Sequence, residues 1–204
     1  MISRILDYIT VIVRDILSSR RIKTTEKILY LTFDDGPDDG ITQFILDILS
    51  KYNAHGTFFC CGNKIKRNPE LFYLILREGH SIGNHTMTHA IGRQTQLMKY
   101  IREVNDFRRT RNTILFRPPQ QSISILELLM VRKNNRIILW DVDSLDWDVT
   151  LGMNYDIEEL ANNTKPGSIV LFHFANEFKH RTMEILPRYM EQLSNLGYSF
   201  QALT

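Results

Sequence analysis

Short apolar segments with β-strand character alternate along this chain with segments whose apolar residues recur at helical spacing. Seven apolar runs have this character, at residues 28–33, 56–61, 81–84, 114–116, 136–142, 168–173 and 198–203. Strands separated by helices are joined as parallel strands through right-handed crossovers. Several runs are apolar almost throughout, which is typical of strands covered on both faces. The pattern predicts an α/β fold, either a doubly wound sheet or a (β/α) barrel.

The segments between the runs are predicted to be amphipathic helices. The clearest has six residues on one apolar face: Ile41, Phe44, Ile45, Ile48, Leu49 and Tyr52. Another begins at Asn68 and Pro69, a helix cap followed by proline at the first helical position, and ends at Gly79. Further helices are predicted near residues 94–109, 124–133, 155–163 and 181–196. Since no linker interrupts the pattern, we expect one domain over residues 27–204.

Composition excludes several classes of protein. The chain has 204 residues, 43% hydrophobic and 24% charged, which suits a globular domain rather than a disordered chain. Its net charge of +2 offers no concentrated basic surface, so no nucleic-acid partner is expected. Cys60 and Cys61 are adjacent within an apolar run and are expected to be buried and unpaired.

The N-terminal segment, residues 1–26, is predicted to be a helix and linker belonging to the same domain. The apolar positions of this helix have the spacing of one face: Ile2, Ile5, Leu6, Ile9, Ile12, Val13 and Ile16. We expect the helix to pack on the outside of the domain, with peripheral membrane contact through residues 1–19 as the alternative. No signal peptide or membrane span is evident, which predicts a cytoplasmic location, or the cell envelope if an export segment is missing. A monomer is the default expectation.

Polar residues capable of chemistry follow five of the predicted strands. Asp34 and Asp35 end the first run, and His85 and His89 follow the third. The other positions, after the fourth, fifth and sixth runs, are Arg117, Asp143 and His173. Both candidate folds build their sites at the carboxyl ends of the strands. The sequence therefore predicts that these side chains meet at one face.

Two histidines spaced i,i+4 suit the chelation of one divalent ion, because they lie on the same side of a helical turn. With one aspartate added, His85 and His89 would complete a catalytic metal shell that keeps open positions. Taken alone, each motif also has a structural explanation. Asp34 and Asp35 precede Gly36 and could simply form a turn, and His173 could be a hydrogen-bonded core histidine.

Five motifs in order give the chain a family resemblance. They are TFDDGP at 32–37, HTMTH at 85–89, RPP at 117–119, DSLDW at 143–147 and LFH at 171–173. Over about residues 27–204 the chain resembles the NodB-homology polysaccharide deacetylases, carbohydrate esterase family four. The resemblance implies a distorted (β/α) barrel with about seven parallel strands.

The resemblance also implies roles for the polar residues. It assigns a divalent metal, usually Zn²⁺, to Asp35, His85 and His89. It makes Asp34 the general base that takes a proton from the reacting water, with Arg117 holding Asp34 ionised. It makes His173 the general acid for the leaving amine, and Asp143 the carboxylate that hydrogen-bonds His173.

The substrate residues implied by the resemblance are Trp147, Leu171, Gln120 and Pro119. Trp147 and Leu171 would form the apolar wall around the acetyl methyl group, and a backbone N–H near Gln120 would stabilise the oxyanion. Two positions depart from the family pattern. Gln120 and Gln121 stand where Tyr-Gly is usual, and Phe174 replaces an acidic residue after the last histidine. Both departures are expected to border the substrate groove and to alter specificity.

The leading hypothesis is therefore a metal-dependent hydrolase that removes N-acetyl groups from oligo- or polysaccharides containing N-acetylglucosamine, of the chitooligosaccharide or peptidoglycan type. One alternative is hydrolysis of a different non-peptide amide at the same site, which the Gln120–Gln121 departure keeps open. The other is a metal-containing carbohydrate-binding module without turnover.

Overall fold

Eight short parallel strands form the sheet of this protein, for which a computed structural model describes residues 2–148, 150–151 and 157–204. The strands are β1 (Ile28–Asp34), β2 (Thr57–Cys60), β3 (Ser81–Asn84), β4 (Leu115–Phe116), β5 (Arg136–Ile137), β6 (Val142–Asp143), β7 (Ile169–His173) and β8 (Ser199–Phe200). Their order is β5-β4-β3-β2-β1-β7-β6, and β8 pairs with the beginning of β1. The fold is a distorted (β/α) barrel, as the sequence resemblance predicts.

The predicted fifth run, residues 136–142, forms two strands rather than one. β5 pairs with β4 at one edge of the sheet, and β6 pairs with β7 at the other edge. The single run therefore joins the two edges. Beyond β5 the Ile138 N–H still donates to Phe116 O in β4, while the carbonyl oxygens of Ile138 and Leu139 accept hydrogen bonds from the Arg117 guanidinium.

Eight α-helices within the described residues surround the strands. They are α1 (Ile2–Leu17), α2 (Ile41–Lys51), α3 (Gly62–Arg67), α4 (Pro69–Arg77), α5 (Leu97–Thr110), α6 (Ile125–Val131), α7 (Ile157–Asn162) and α8 (Lys179–Asn195). The predicted proline at the first turn of α4 is confirmed. Ser124 begins α6 with a capping box shared with Glu127. The predicted start of α7 near residue 155 lies outside the described residues.

The two faces of the central strands bury different side chains, because successive residues of a strand point to opposite sides. On one face the ring of Phe33 stacks on Phe58 at 4.9 Å and lies 6.0 Å from Phe172, within the core that α2 and α8 cover. On the other face Phe59 packs against the Arg117 guanidinium at 4.2 Å. Cys60 and Cys61 are buried and free, as predicted.

α1 packs against α6 on the outside of the barrel, as predicted, but only part of its predicted apolar face is buried. Val13 and Leu17 contact the core cluster beneath, and Thr10 is buried. Three residues of the predicted apolar face are exposed instead: Ile9, Ile12 and Ile16. Within the part of the chain that the structure describes, no helix combines the length and the apolarity needed to cross a membrane.

Candidate active site

Six of the seven residues predicted at the carboxyl ends of the strands line one cavity of about 430 Å³, and the seventh, Arg117, is fully buried outside its wall. Its wall consists of Asp34, Asp35, His85, His89, Gln120, Trp140, Asp143, Trp147, Leu171, His173 and Phe178. The sheet register explains the convergence, since Asp34 at the end of β1 pairs with His173 at the end of β7. Adjacent strands lie about 4.8 Å apart, so these two side chains begin from neighbouring positions.

Asp35, His85 and His89 form a compact set of possible metal ligands. Asp35 Oδ1 lies 3.2 Å from His85 Nε2 and 3.1 Å from His89 Nε2, and the three donor atoms lie within 4.8 Å of one another. Asp35 Oδ1 is buried, and these two imidazole nitrogens are the polar groups that face it. A buried carboxylate oxygen facing two imidazole nitrogens fits a divalent cation, because such a set leaves further coordination positions open. The residues therefore fit the metal that the sequence predicts.

Hydrogen bonds and backbone conformation orient these three ligand side chains. His85 Nδ1 lies 2.8 Å from the backbone oxygen of Arg117, which leaves Nε2 as the free nitrogen. Asp35 and His89 both have left-handed backbone, with φ of 80° and 60°. Thr86 accepts the Ala90 N–H at 2.8 Å and so closes the turn that carries His89.

The protonation of the set also suits a cation. Burial opposes the ionisation of Asp35, but hydrogen bonds and charge from His85 and His89 outweigh it, so the pKa of this carboxyl lies well below its usual value. The hydrogen bond to Asp35 raises the pKa of His89 against the opposing effect of burial. A bound cation would take the place of the proton on the imidazole nitrogen that faces Asp35, since imidazole ligates metal in its neutral form.

Asp34 is paired with the fully buried Arg117. Arg117 Nη1 donates to Asp34 Oδ1 at 2.7 Å and to Thr32 Oγ1 at 2.9 Å. Its remaining donors reach the carbonyl oxygens of Ile138 and Leu139, each at 3.3 Å. Burial lowers the pKa of Arg117 while Asp34 raises it, and an arginine guanidinium stays charged under either influence. Asp34 therefore has a fixed cationic partner, as predicted.

His173 is held by Asp146, and the predicted hydrogen bond from Asp143 is wrong. His173 Nδ1 lies 2.7 Å from Asp146 Oδ1, and the His173 backbone N–H donates to Asp146 Oδ2 at 2.8 Å. Thr182 Oγ1 donates to the same carboxylate oxygen at 2.7 Å. Burial by itself would lower the pKa of His173, but the charge and hydrogen bond of Asp146, with smaller contributions from Asp35 and Asp34, raise it to about 9.

Asp143 instead organises the neighbouring wall of the cavity. Its carboxylate accepts the Leu145 backbone N–H at 2.9 Å and the Trp147 Nε1–H at 3.3 Å. Burial raises the pKa of Asp143, and these hydrogen bonds oppose the rise. Leu145, which lies between the two aspartates, has a left-handed backbone with φ of 54°. The Asp143 carboxylate accordingly contacts Trp147, and the Asp146 carboxylate contacts His173.

Comparison with known proteins identifies the family. The family model for polysaccharide deacetylase matches residues 21–125, just over half of the chain. A peptidoglycan-N-acetylglucosamine deacetylase of Bacillus cereus is 33% identical over 187 residues, which cover 88% of this chain and 87% of that protein. This chain belongs to the polysaccharide deacetylase family.

Other members of the polysaccharide deacetylase family are similarly close. A chitooligosaccharide deacetylase of Sinorhizobium fredii is 29% identical over 200 residues, covering 86% of this chain and 89% of that one. The crystal structure of a peptidoglycan N-acetylglucosamine deacetylase superposes with a TM-score of 0.79 at 28% identity, covering 90% and 89% of the two chains. The family resemblance seen in the sequence is thus confirmed.

The two departures from the family pattern have different surroundings in this deacetylase-family chain. Gln120 lines the cavity, as predicted, whereas Pro119 is buried in the same turn and is not part of the wall. Phe174 was expected beside the substrate groove, and this is wrong. Its ring is fully buried and packs 5.2 Å from Phe58, and a Cβ at Gly36 would lie 2.4 Å from that ring. Phe174 therefore belongs to the core.

Three cavity or support residues were missed by the sequence reasoning. Trp140 and Phe178 line the cavity, and the Phe178 ring lies 4.7 Å from that of His173. Asp146 supports His173 from behind. Only Asp146 carried a sequence signal, since it lies three residues after Asp143 in the same motif; the two aromatic residues resemble ordinary core positions.

Proposed function

We propose that this chain is a metal-dependent N-deacetylase that hydrolyses the acetamido group of N-acetylglucosamine units in an oligo- or polysaccharide. The observation that carries the proposal is the pairing of Asp34 with His173 across β1 and β7, beside the Asp35–His85–His89 set. One carboxylate with a fixed cation and one imidazole with a fixed carboxylate supply a base and an acid at the same cavity. Amide hydrolysis needs both groups.

Asp35, His85 and His89 are the proposed metal ligands, with Zn²⁺ as the first candidate. When bound, a divalent cation supplies Lewis acidity that polarises a carbonyl group and acidifies water. The chain contributes the fixed geometry, because the Arg117 carbonyl holds His85 through Nδ1. The open side of the set faces the cavity.

Asp34 is the proposed general base. Its Oδ1 is occupied by Arg117, while Oδ2 lies 3.8 Å from His85 Nε2 and so faces the proposed metal site. The guanidinium fixes the position of the carboxylate and leaves Oδ2 to accept a proton from the attacking water. Arg117 therefore serves as a positioning residue for Asp34.

His173 is the proposed general acid. Because Asp146 raises its pKa to about 9, the imidazole is protonated at neutral pH. The Nδ1 proton is held by Asp146, so Nε2–H is the donor available to the leaving nitrogen of the amino sugar. Protonation of this nitrogen allows the C–N bond to break, which yields acetate and a free amine.

Leu171 and Trp147 are proposed to contact the substrate. Leu171 is almost fully buried beside the metal set, which suits an acetyl methyl group, and Trp147 is 44% exposed at the rim, which suits a sugar ring. The backbone N–H of Gln120 is the proposed donor to the oxyanion. A cavity of about 430 Å³ has the size of a small-ligand pocket rather than an extended channel.

The substrate class is proposed from the relatives. Peptidoglycan-type glycan is the first candidate, since a peptidoglycan-N-acetylglucosamine deacetylase shares 33% identity with this chain, and chitooligosaccharide is the second. We also propose that residues 27–204 form the deacetylase domain and that residues 1–26 are part of it.

Acetate release tests the proposal. Metal-stripped protein is incubated with N-acetylglucosamine oligomers and with peptidoglycan fragments, with and without added Zn²⁺. We expect release that depends on the metal and that disappears in the Asp34→Asn variant while metal binding persists. His180→Asn, a substitution outside the cavity on α8, serves as the matched control and should retain full activity.

Failure would take two distinct forms. Release that persists in Asp34→Asn would refute the assignment of the base. No release from any saccharide by protein with tightly bound metal would refute sugar deacetylation. In that case a panel of non-sugar amides would separate another amidase activity from a carbohydrate-binding role.

A further inference from the structure

The turn at Gln120 and Gln121 has an unfavourable backbone conformation for its residues. Gln120 and Gln121 have φ of 54° and 52°, in the left-handed region that glycine adopts far more readily. Two local hydrogen bonds support the turn, from Gln121 N–H to Pro118 O and from Ser122 N–H to Pro119 O, both at 3.0 Å. Glycine, usual in this family at position 121, is absent. The turn therefore depends on support from elsewhere in the chain.

That support comes from α1 and the residues after it. Arg14 Nη1 donates to the backbone oxygen of Gln121 at 3.1 Å, and Arg20 Nη2 donates to Gln121 Oε1 at 3.2 Å. The Arg14 side chain is only 14% exposed although it lies on an outer helix. Two guanidinium groups thus hold the main chain and the side chain of the same residue.

Arg20 also contacts the second wall of the cavity. Its Nη1 donates to the backbone oxygen of Trp140 at 3.0 Å. Trp140 and Gln120 both line the cavity, so one guanidinium bridges two of its walls.

Both arginines start from fixed positions. Asp15 Oδ1 accepts from Arg14 Nε at 3.1 Å and from Arg20 Nη2 at 2.8 Å. Ser19, next to Arg20, donates to Ile137 O at 2.8 Å and accepts the Leu139 N–H at 2.9 Å. The backbone at residue 19 is therefore attached to the run that joins the edges of the sheet.

We propose that Arg14 and Arg20 are positioning residues that hold the Gln120–Gln121 turn in its left-handed conformation. They thereby fix the position of Gln120, whose side of the turn lines the cavity and whose backbone N–H is the proposed oxyanion donor. The inference rests on the proposed deacetylase function. It makes the N-terminal helix part of the catalytic unit. It also explains how the chain tolerates Gln121 where the family usually has glycine. The two arginines supply a restraint that a glycine at this position would not need.

The first test compares the wild type with Arg20→Met and with the double variant Arg14→Met/Arg20→Met. A displaced oxyanion donor affects the transition state more than the bound substrate, so kcat should fall by about tenfold or more while KM changes by less than about threefold. Zn²⁺ affinity should not change. Arg20→Met keeps the backbone bonds of Ser19, so the single variant still reports if the double variant folds poorly. Arg188→Met, which removes an exposed arginine on α8, is the charge-matched control.

A rescue variant separates positioning from simple attachment of the helix. Gln121→Gly in the double-variant background should restore kcat to within about threefold of wild type, because glycine adopts positive φ without a steric penalty. If the arginines only attach α1, the loss will follow the melting temperature and Gln121→Gly will restore nothing. That outcome would overturn the proposal.

Amide hydrogen exchange gives a readout that needs no substrate. The amides of Gln121 and Ser122 should exchange at least about fivefold faster in the double variant than in wild type. Exchange should speed up because the turn, without its arginine contacts, should open locally more often. Unchanged exchange at these two amides in a folded variant would refute the positioning role. Absence of acetate release by wild-type protein would refute the function alone, and the exchange rates would still decide the inference.

Discussion

The Asp146 carboxylate holds His173 at two points, with Oδ1 2.7 Å from the imidazole Nδ1 and Oδ2 accepting the backbone N–H at 2.8 Å. The second contact prevents the carboxylate from rotating away from the ring. Because Thr182 donates to Oδ2 at 2.7 Å as well, the carboxylate is a fixed anion behind the proposed acid. This pair sets the pH range in which His173 carries its proton.

Asp146→Asn is expected to move the alkaline limb of the pH–rate profile to lower pH. With Asp146 present, the pKa of His173 is about 9, so the acid is protonated below that pH and is lost as the pH rises through it. The amide removes the Asp146 charge, so the pKa of His173 should fall, because burial lowers it and only the smaller contributions of Asp35 and Asp34 still raise it. The measurement is kcat/KM for acetate release between pH 6 and pH 10, roughly the range over which histidine with and without such a partner titrates.

Asp143→Asn is the matched control for this profile, since Asp143 contacts Leu145 and Trp147 rather than the imidazole. Its alkaline limb should move much less than that of Asp146→Asn. Equal displacement in the two variants would show that Asp146 has no special relationship with His173.

His85→Ala should weaken Zn²⁺ binding by more than about 100-fold, because loss of a direct ligand exceeds the effect of losing an outer-shell partner. His55→Ala is the control, since His55 lies in a different surface cavity. Competition with a chromophoric chelator measures both affinities. Equal affinity of His85→Ala and wild type would refute the proposed ligand set.

Arg117→Met should destabilise the fold by about 3–5 kcal/mol, because it leaves the buried Asp34 carboxylate without its partner. Adding Asp34→Asn to Arg117→Met should recover part of the loss, since the neutral amide needs no counter-charge. Urea unfolding of the two single variants and the double variant measures the coupling between them. Strict additivity would contradict a direct interaction of the two side chains.

Leu171→Val should shift acyl preference from N-acetyl towards N-propionyl glucosamine oligomers. Leu171 is 2% exposed and lines the cavity, so shortening it leaves room for about one methylene group. One methylene in an apolar pocket changes discrimination by about tenfold or more. The ratio of kcat/KM for the two substrates reports the shift, and Ile169→Val, in the same strand but outside the cavity wall, should leave the ratio unchanged.

Much of the fold and of the site was predictable because burial and strand ends leave local patterns. Each of the seven apolar runs contains strand, and the polar residues that follow β1, β3 and β7 reach one cavity. The spacing of His85 and His89 indicated that both could bind one metal ion, because residues at i and i+4 lie on the same side of a helical turn. These features depend on neighbours within a few residues, which the sequence displays directly.

The sequence by itself determined the parallel α/β pattern and, through its motifs, marked Asp35, His85 and His89 as candidates for one metal site. Only the tertiary structure decided that the fifth run splits to join both edges of the sheet, that Asp146 rather than Asp143 holds His173, and which face of α1 meets the barrel. Those choices depend on a turn at Leu145 and on hydrogen bonds such as that from Arg14 to Gln121, across 107 positions of the chain. Periodicity reports which residues are buried, but the partner of a polar group is set by backbone angles and by contacts remote in sequence.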